Sequence, residues 1–87
     1  MIQIRENNEH EFTVTVEESD GKTEYTVGLD NAYYRDLTGG NITRKELIRK
    51  SFEFLLEREP NSSILTRFDL RAIRDYFPGY EKTISNG

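Results

Sequence analysis

At 87 residues, with 34% apolar and 32% charged side chains, the chain is long enough for one domain around one core. Folding at this size removes only about 60–65% of the unfolded surface from water. The lack of cysteine and the single histidine, His10, exclude a disulfide framework and a thiolate or histidine-cluster metal site, and no cofactor is expected.

The net charge of −4 is uneven: residues 1–31 hold two basic and eight acidic side chains, the remainder ten basic and eight acidic. An acidic front half opposes long-range attraction to phosphate and favours a protein partner. No apolar run of membrane-spanning length and no basic-plus-apolar leader appears, so a cytoplasmic chain that makes no use of a membrane is expected.

The opening "IQIR" places Ile2 and Ile4 on one side and offers a short third strand beside a hairpin, with residues 1–10 otherwise expected to be flexible. "EFTVTVE" then alternates strictly, Phe12, Val14 and Val16 against Thr13, Thr15 and Glu17, and "TEYTVGLD" repeats the pattern through Tyr25, Val27 and Leu29. Between them "ESDGK" supplies Asp20-Gly21 for a tight turn, which predicts an antiparallel β-hairpin. Asp30 is placed to cap a short helix over residues 31–37, ended by Gly39-Gly40 in left-handed conformation.

The clearest helix start comes next. Thr43 stands at the cap, Glu46 completes a capping box, and Ile42 is spaced to staple against Leu47. This helix should run to Arg58 or Glu59, where Pro60 disfavours its continuation. Its wide apolar arc, Leu47, Ile48, Phe52, Phe54, Leu55 and Leu56, makes it the central core element, and Ser51 lies inside that arc, where a small residue allows close approach of another segment. After "EPNSS" a short helix from Asn61 or Ser62 through Leu65 is expected. A last helix is expected over residues 70–77, capped by Asp69, with Phe68 stapled to Ile73 and Pro78-Gly79 as its stop. Tyr80 to Ile84 adds a further turn before residues 85–87 fray.

Arg67, Arg71 and Arg74 recur at the i, i+4, i+7 spacing of one helical face, and arginine forks bind phosphates and carboxylates well. The Asp69 cap breaks that stripe, leaving only Arg71 and Arg74 on a shared face, with Asp75 placed to pair with Arg71. A solvated face held by local pairs weighs against a contact surface here. Arg58, on the apolar side near its helix end, is expected to meet exposed carbonyls or an acid such as Asp69. Tyr33, Tyr34, Tyr76 and Tyr80 are divided between core rim and interface. Ser51 has no visible base, His10 stands in a polar stretch, and "TGGN" lacks the spacing of a phosphate loop. The residues favoured for partner contact are Arg71, Arg74, Tyr80 and Tyr34.

The back half, "SFEFLLEREPNSSILTRFDLRAIRDYFPGYE", resembles a family of small uncharacterised prokaryotic proteins that share an FLLEREP element followed by ILxRFDL and YFP elements. That resemblance implies a prokaryotic origin and carries no activity or site residue. The hairpin followed by a helix is also loosely similar to HicB-type antitoxins, whose sheet requires strands that a helical C-terminal half does not offer. The expected architecture is a single α+β domain over residues 1–87, in which an N-terminal antiparallel hairpin of two or three strands packs on the central helix and short C-terminal helices complete the core. The expected function is a non-enzymatic interaction module that binds a protein partner or forms a homodimer. A nucleic-acid-binding regulator using Arg-bearing helix faces is the alternative.

Overall fold

Alternation sets the sheet. In the computed structural model, which describes residues 1–19 and 21–86, strands β2 (Glu11–Glu18) and β3 (Gly21–Gly28) pair antiparallel, with Phe12 opposite Val27 and Val14 opposite Tyr25. The apolar partners share one face and are buried, while Thr13, Thr15 and Thr26 lie on the other. Glu18 pairs with Gly21, whose φ of 141° favours glycine. Asp20, the expected turn residue, lies outside the described residues.

The third strand offered by Ile2 and Ile4 is present and longer than IQIR. It is strand β1 (Ile2–Asn8), antiparallel to β2, with Ile4 opposite Val14 and Ile2 opposite Val16. The register shifts between Glu6 and Asn8, a bulge that sets the Asn7 side chain over the outer face, where it donates to Thr13 Oγ1 at 2.9 Å and Glu11 Oε2 at 3.2 Å. Asn8 Oδ1 accepts the His10 N–H at 2.8 Å, closing the β1–β2 turn. The polar residues that suggest a loop are therefore strand and turn.

Local chemistry fixes the next two elements as expected. Asp30 accepts the Tyr33 N–H at 2.7 Å and starts α1 (Asn31–Thr38), which ends at Gly39 with φ 65°. Thr43 accepts the Glu46 N–H at 3.1 Å and starts α2 (Arg44–Arg58), 15 residues long. Leu47, Ile48, Phe52 and Leu55 of α2 are buried with the inner face of the sheet. Each such side chain contributes about 1.5–3 kcal/mol on leaving water.

Beyond α2 the expected run of helices is interrupted. A 3₁₀ turn at Asn61–Ser63 is held by the Tyr25 hydroxyl, which donates to Asn61 O at 2.7 Å. Residues Arg67–Asp69 then form β4, parallel to β3, which gives a four-stranded mixed sheet in the order β1-β2-β3-β4. Phe68 points inward opposite Val27, with its ring 6.0 Å from that of Phe52. Asp69 does act as a cap, accepting the Arg71 N–H at 3.0 Å, but it opens a 3₁₀ turn (Leu70–Ala72) running into the single turn α3 (Ile73–Tyr76) instead of one regular helix. The last helix, α4 (Tyr80–Asn86), buries Tyr80 and Ile84. Among the described residues no helix is long and apolar enough to cross a membrane.

Candidate interaction site

Arg71 and Arg74 do share a neighbourhood, and Tyr33 organises it. The Arg71 guanidinium lies 5.1 Å and that of Arg74 5.9 Å from the centroid of the Tyr33 ring. Arg71 Nη2 reaches Asp30 Oδ2 at 2.6 Å, and Arg74 Nη1 reaches Glu81 Oε2 at 3.3 Å. The same Glu81 oxygen accepts the Tyr33 hydroxyl at 2.9 Å. Burial, then the bond to Glu81, pushes the Tyr33 phenol well above its ordinary pKa. Two cations are thus matched by two carboxylates, and the partner of Arg71 is Asp30 rather than the expected Asp75. The paired carboxylates lower the attraction of the cluster for an incoming phosphate, and the contacts tie α1 to the C-terminal segments.

The tyrosines divide differently from expectation. Tyr80 is 0% exposed, because its ring fills the space that the small Ser51 leaves on α2 and packs 5.3 Å from the Phe54 ring. It is therefore corrected from a contact residue to a core residue. Tyr34 is half-buried; its hydroxyl donates to the Ile42 carbonyl and the Arg44 guanidinium sits 4.7 Å over its ring, so it braces the α1–α2 connection. Arg58 meets a carbonyl as expected, donating to Phe54 O at 3.0 Å and lying 3.6 Å over the Phe54 ring, rather than pairing with Asp69. Tyr76 alone of the four candidate tyrosines stands out in solvent, at 70% exposure.

Tyr76 borders a surface that periodicity does not reveal. The end of α2, the connector after it and α3 enclose a groove of about 220 Å³, whose lining includes Leu55, Ile64, Leu65, Phe68, Tyr76 and Phe77. Glu59 is its one charged lining residue. Leu65, 59% exposed, is the expected end of a short helix, but the 3₁₀ turn stops at Ser63 and the chain carries Leu65 outward beside Ile64. Pockets for drug-sized ligands run to about 300–1,000 Å³, so this groove suits one or two large apolar side chains better than a cofactor. Among the described residues no group of three His, Cys, Asp or Glu side chains converges.

A scan against protein-family models, a search of curated proteins and a search of solved structures each return no match to this chain.

Proposed function

We propose that this chain is a small non-enzymatic interaction module whose groove between α2 and α3 receives apolar side chains from a protein partner. One observation carries this reading: of the three large apolar side chains exposed among the described residues, Met1, Leu65 and Tyr76, two line the same apolar groove. Singly exposed apolar residues are ordinary, but a cluster at a concave apolar surface marks a binding site. The partner segment presents a Leu- or Phe-sized anchor flanked by a lysine or arginine, which meets Glu59. Nucleic acid is the weaker reading, because four of the arginines on the helical segments are already engaged: Arg71 and Arg74 with carboxylates, Arg44 with Asn31 and Arg49 with a β1 carbonyl.

The test is selection from a displayed peptide library. Enriched peptides are expected to carry an apolar anchor next to a basic residue, and Leu65→Asp with Tyr76→Asp should weaken their binding at least tenfold with the circular dichroism unchanged. Glu59→Lys should turn the preference toward acidic flanks. Peptides that bind equally well to the Leu65→Asp, Tyr76→Asp variant would remove the groove from consideration.

A further inference from the structure

The seven-residue strand β1 closes one side of the sheet, and its outer edge has a definite hydrogen-bonding pattern. Met1 and Glu17 exchange both backbone bonds, each at 2.8 Å. In an antiparallel ladder such bonded pairs alternate along the strand. Gln3 and Arg5 therefore bond inward to Thr15 and Thr13, and the N–H and C=O groups of Ile2, Ile4 and Glu6 point outward, away from β2. The side chains of these three residues stand on the inner face of the sheet, Ile2 and Ile4 half-buried against the core and Glu6 exposed. From α2, the Arg49 guanidinium reaches over this edge and donates to Ile2 O at 2.9 Å.

From this pattern we infer that β1 is the interface of a two-fold dimer, in which β1 of a second copy adds antiparallel to it with Ile4 opposite Ile4. Outward backbone groups then meet outward groups, and each of the pairs Ile2 with Glu6, Ile4 with Ile4 and Glu6 with Ile2 exchanges two hydrogen bonds across the axis. The isoleucines extend the apolar stripe of one sheet into the other. Charge selects the register. A glutamate on the inner side of an edge strand discourages undirected pairing. Here the pairing sets Glu6 of the second copy opposite Ile2, whose carbonyl Arg49 already holds, so each Glu6 meets the Arg49 of the other subunit.

The neighbouring registers lack this match. Sliding one step so that the axis passes through Arg5 sets the two Arg5 side chains against each other. Sliding the other way, to an axis at Gln3, carries Glu6 past the end of the facing strand. The bulge at Asn7 ends the regular edge just beyond Glu6, and the opposite edge is broken, since the three-residue β4 covers β3 only from Thr26 to Gly28. Assembly thus closes at two copies with one continuous sheet. The interface does not include the groove and does not depend on it.

Sedimentation velocity on the full chain at hundreds of micromolar tests the inference. Wild type is expected to sediment as a dimer. Ile4→Pro removes an outward-facing N–H on an edge strand together with a half-buried side chain, so it should give a monomer that keeps the wild-type circular dichroism spectrum at a lower melting temperature. Glu6→Arg and Arg49→Glu should each weaken the dimer about tenfold or more, and the double variant Glu6→Arg, Arg49→Glu should restore it. The charge swap keeps the test decisive if Ile4→Pro fails to fold. A wild-type monomer at these concentrations, a dimer that survives in folded Ile4→Pro, or a charge swap that does not restore the dimer overturns it. A dimer lost instead in Leu65→Asp would assign self-association to the groove and likewise overturn the β1 interface, whereas peptide binding that persists in monomeric Ile4→Pro shows the two surfaces acting separately.

Discussion

Ser51 and Tyr80 form a fully buried polar contact, and the proton count assigns its direction. Both residues are 0% exposed, and Ser51 Oγ lies 2.7 Å from Leu47 O and 2.6 Å from the Tyr80 hydroxyl oxygen. Leu47 O only accepts, so the single serine proton goes to it and the Tyr80 O–H donates to Ser51. The two partners are then unequal. Tyr80→Phe removes one bond and leaves Ser51 satisfied by Leu47, at a cost of about 0.5–1.5 kcal/mol. Ser51→Ala removes a single oxygen but leaves a buried phenol without a partner, at about 1–3 kcal/mol. Denaturant unfolding should therefore show Ser51→Ala as the more destabilising change. The double variant should be no less stable than Ser51→Ala alone, a coupling that independent contributions would not produce. Equal and additive losses would mean that the hydroxyl pair contributes nothing.

At the scale of elements, β4 decides whether the C-terminal third is part of the sheet. The bonded pairs that β3 makes with β2 include the bond from Leu29 N to His10 O, so the amides of Glu24, Thr26 and Gly28 face the other way, toward β4. Thr26 N donates to Thr66 O at 2.7 Å, and β4 pairs with β3 only from Thr26 to Gly28. In native-state hydrogen exchange the Thr26 amide should be strongly protected, and that of Glu24, on the same edge but beyond the reach of β4, should not. Phe68→Ala should abolish the Thr26 protection while leaving that of Val14 and Val27, since Phe68 is the inward anchor of β4. Thr26 exchange as fast as that of Glu24 would deny the strand. This element was not legible in the sequence for a plain reason: in Arg67, Phe68 and Asp69 there is one alternation, and the strand that pairs with it lies far upstream. The caps at Asp30, Thr43 and Asp69, the hairpin and the close approach at Ser51 were legible because each depends on neighbours in sequence or on a long periodic run. The groove was not, because its walls come from three segments that only tertiary packing brings together, and the sequence pattern places Leu65 in a short helix. For the same reason the partners of Arg71 and Arg74, Asp30 and Glu81, are distant residues that helical spacing does not supply.

The whole molecule is held by tyrosines at its seams. The Tyr25 hydroxyl ties the sheet to the connector after α2, Tyr33 ties α1 to α4, and Tyr80 ties α4 to α2. In all three the phenol is pushed above its ordinary value of about 10, chiefly by burial, which disfavours the phenolate. A raised pKa in the folded state fixes the sign of the linkage. Below about pH 10 both states keep these protons, and their contribution to stability is fully present. Above it the unfolded chain releases phenolic protons that the folded chain retains, so stability falls as pH rises, by up to about 1.4 kcal/mol per pH unit for the well-buried Tyr80 and by less for Tyr25 and Tyr33. Melting temperatures should therefore hold through pH 9 and drop steeply above pH 10, with the phenolate absorbance of these tyrosines appearing together with unfolding. Tyr80→Phe, less stable at pH 7, should lose stability more gently at alkaline pH, so that its curve converges on that of the wild type. Parallel curves for the two proteins up to pH 11 would show that the buried phenol of Tyr80 is not among the groups that open the fold.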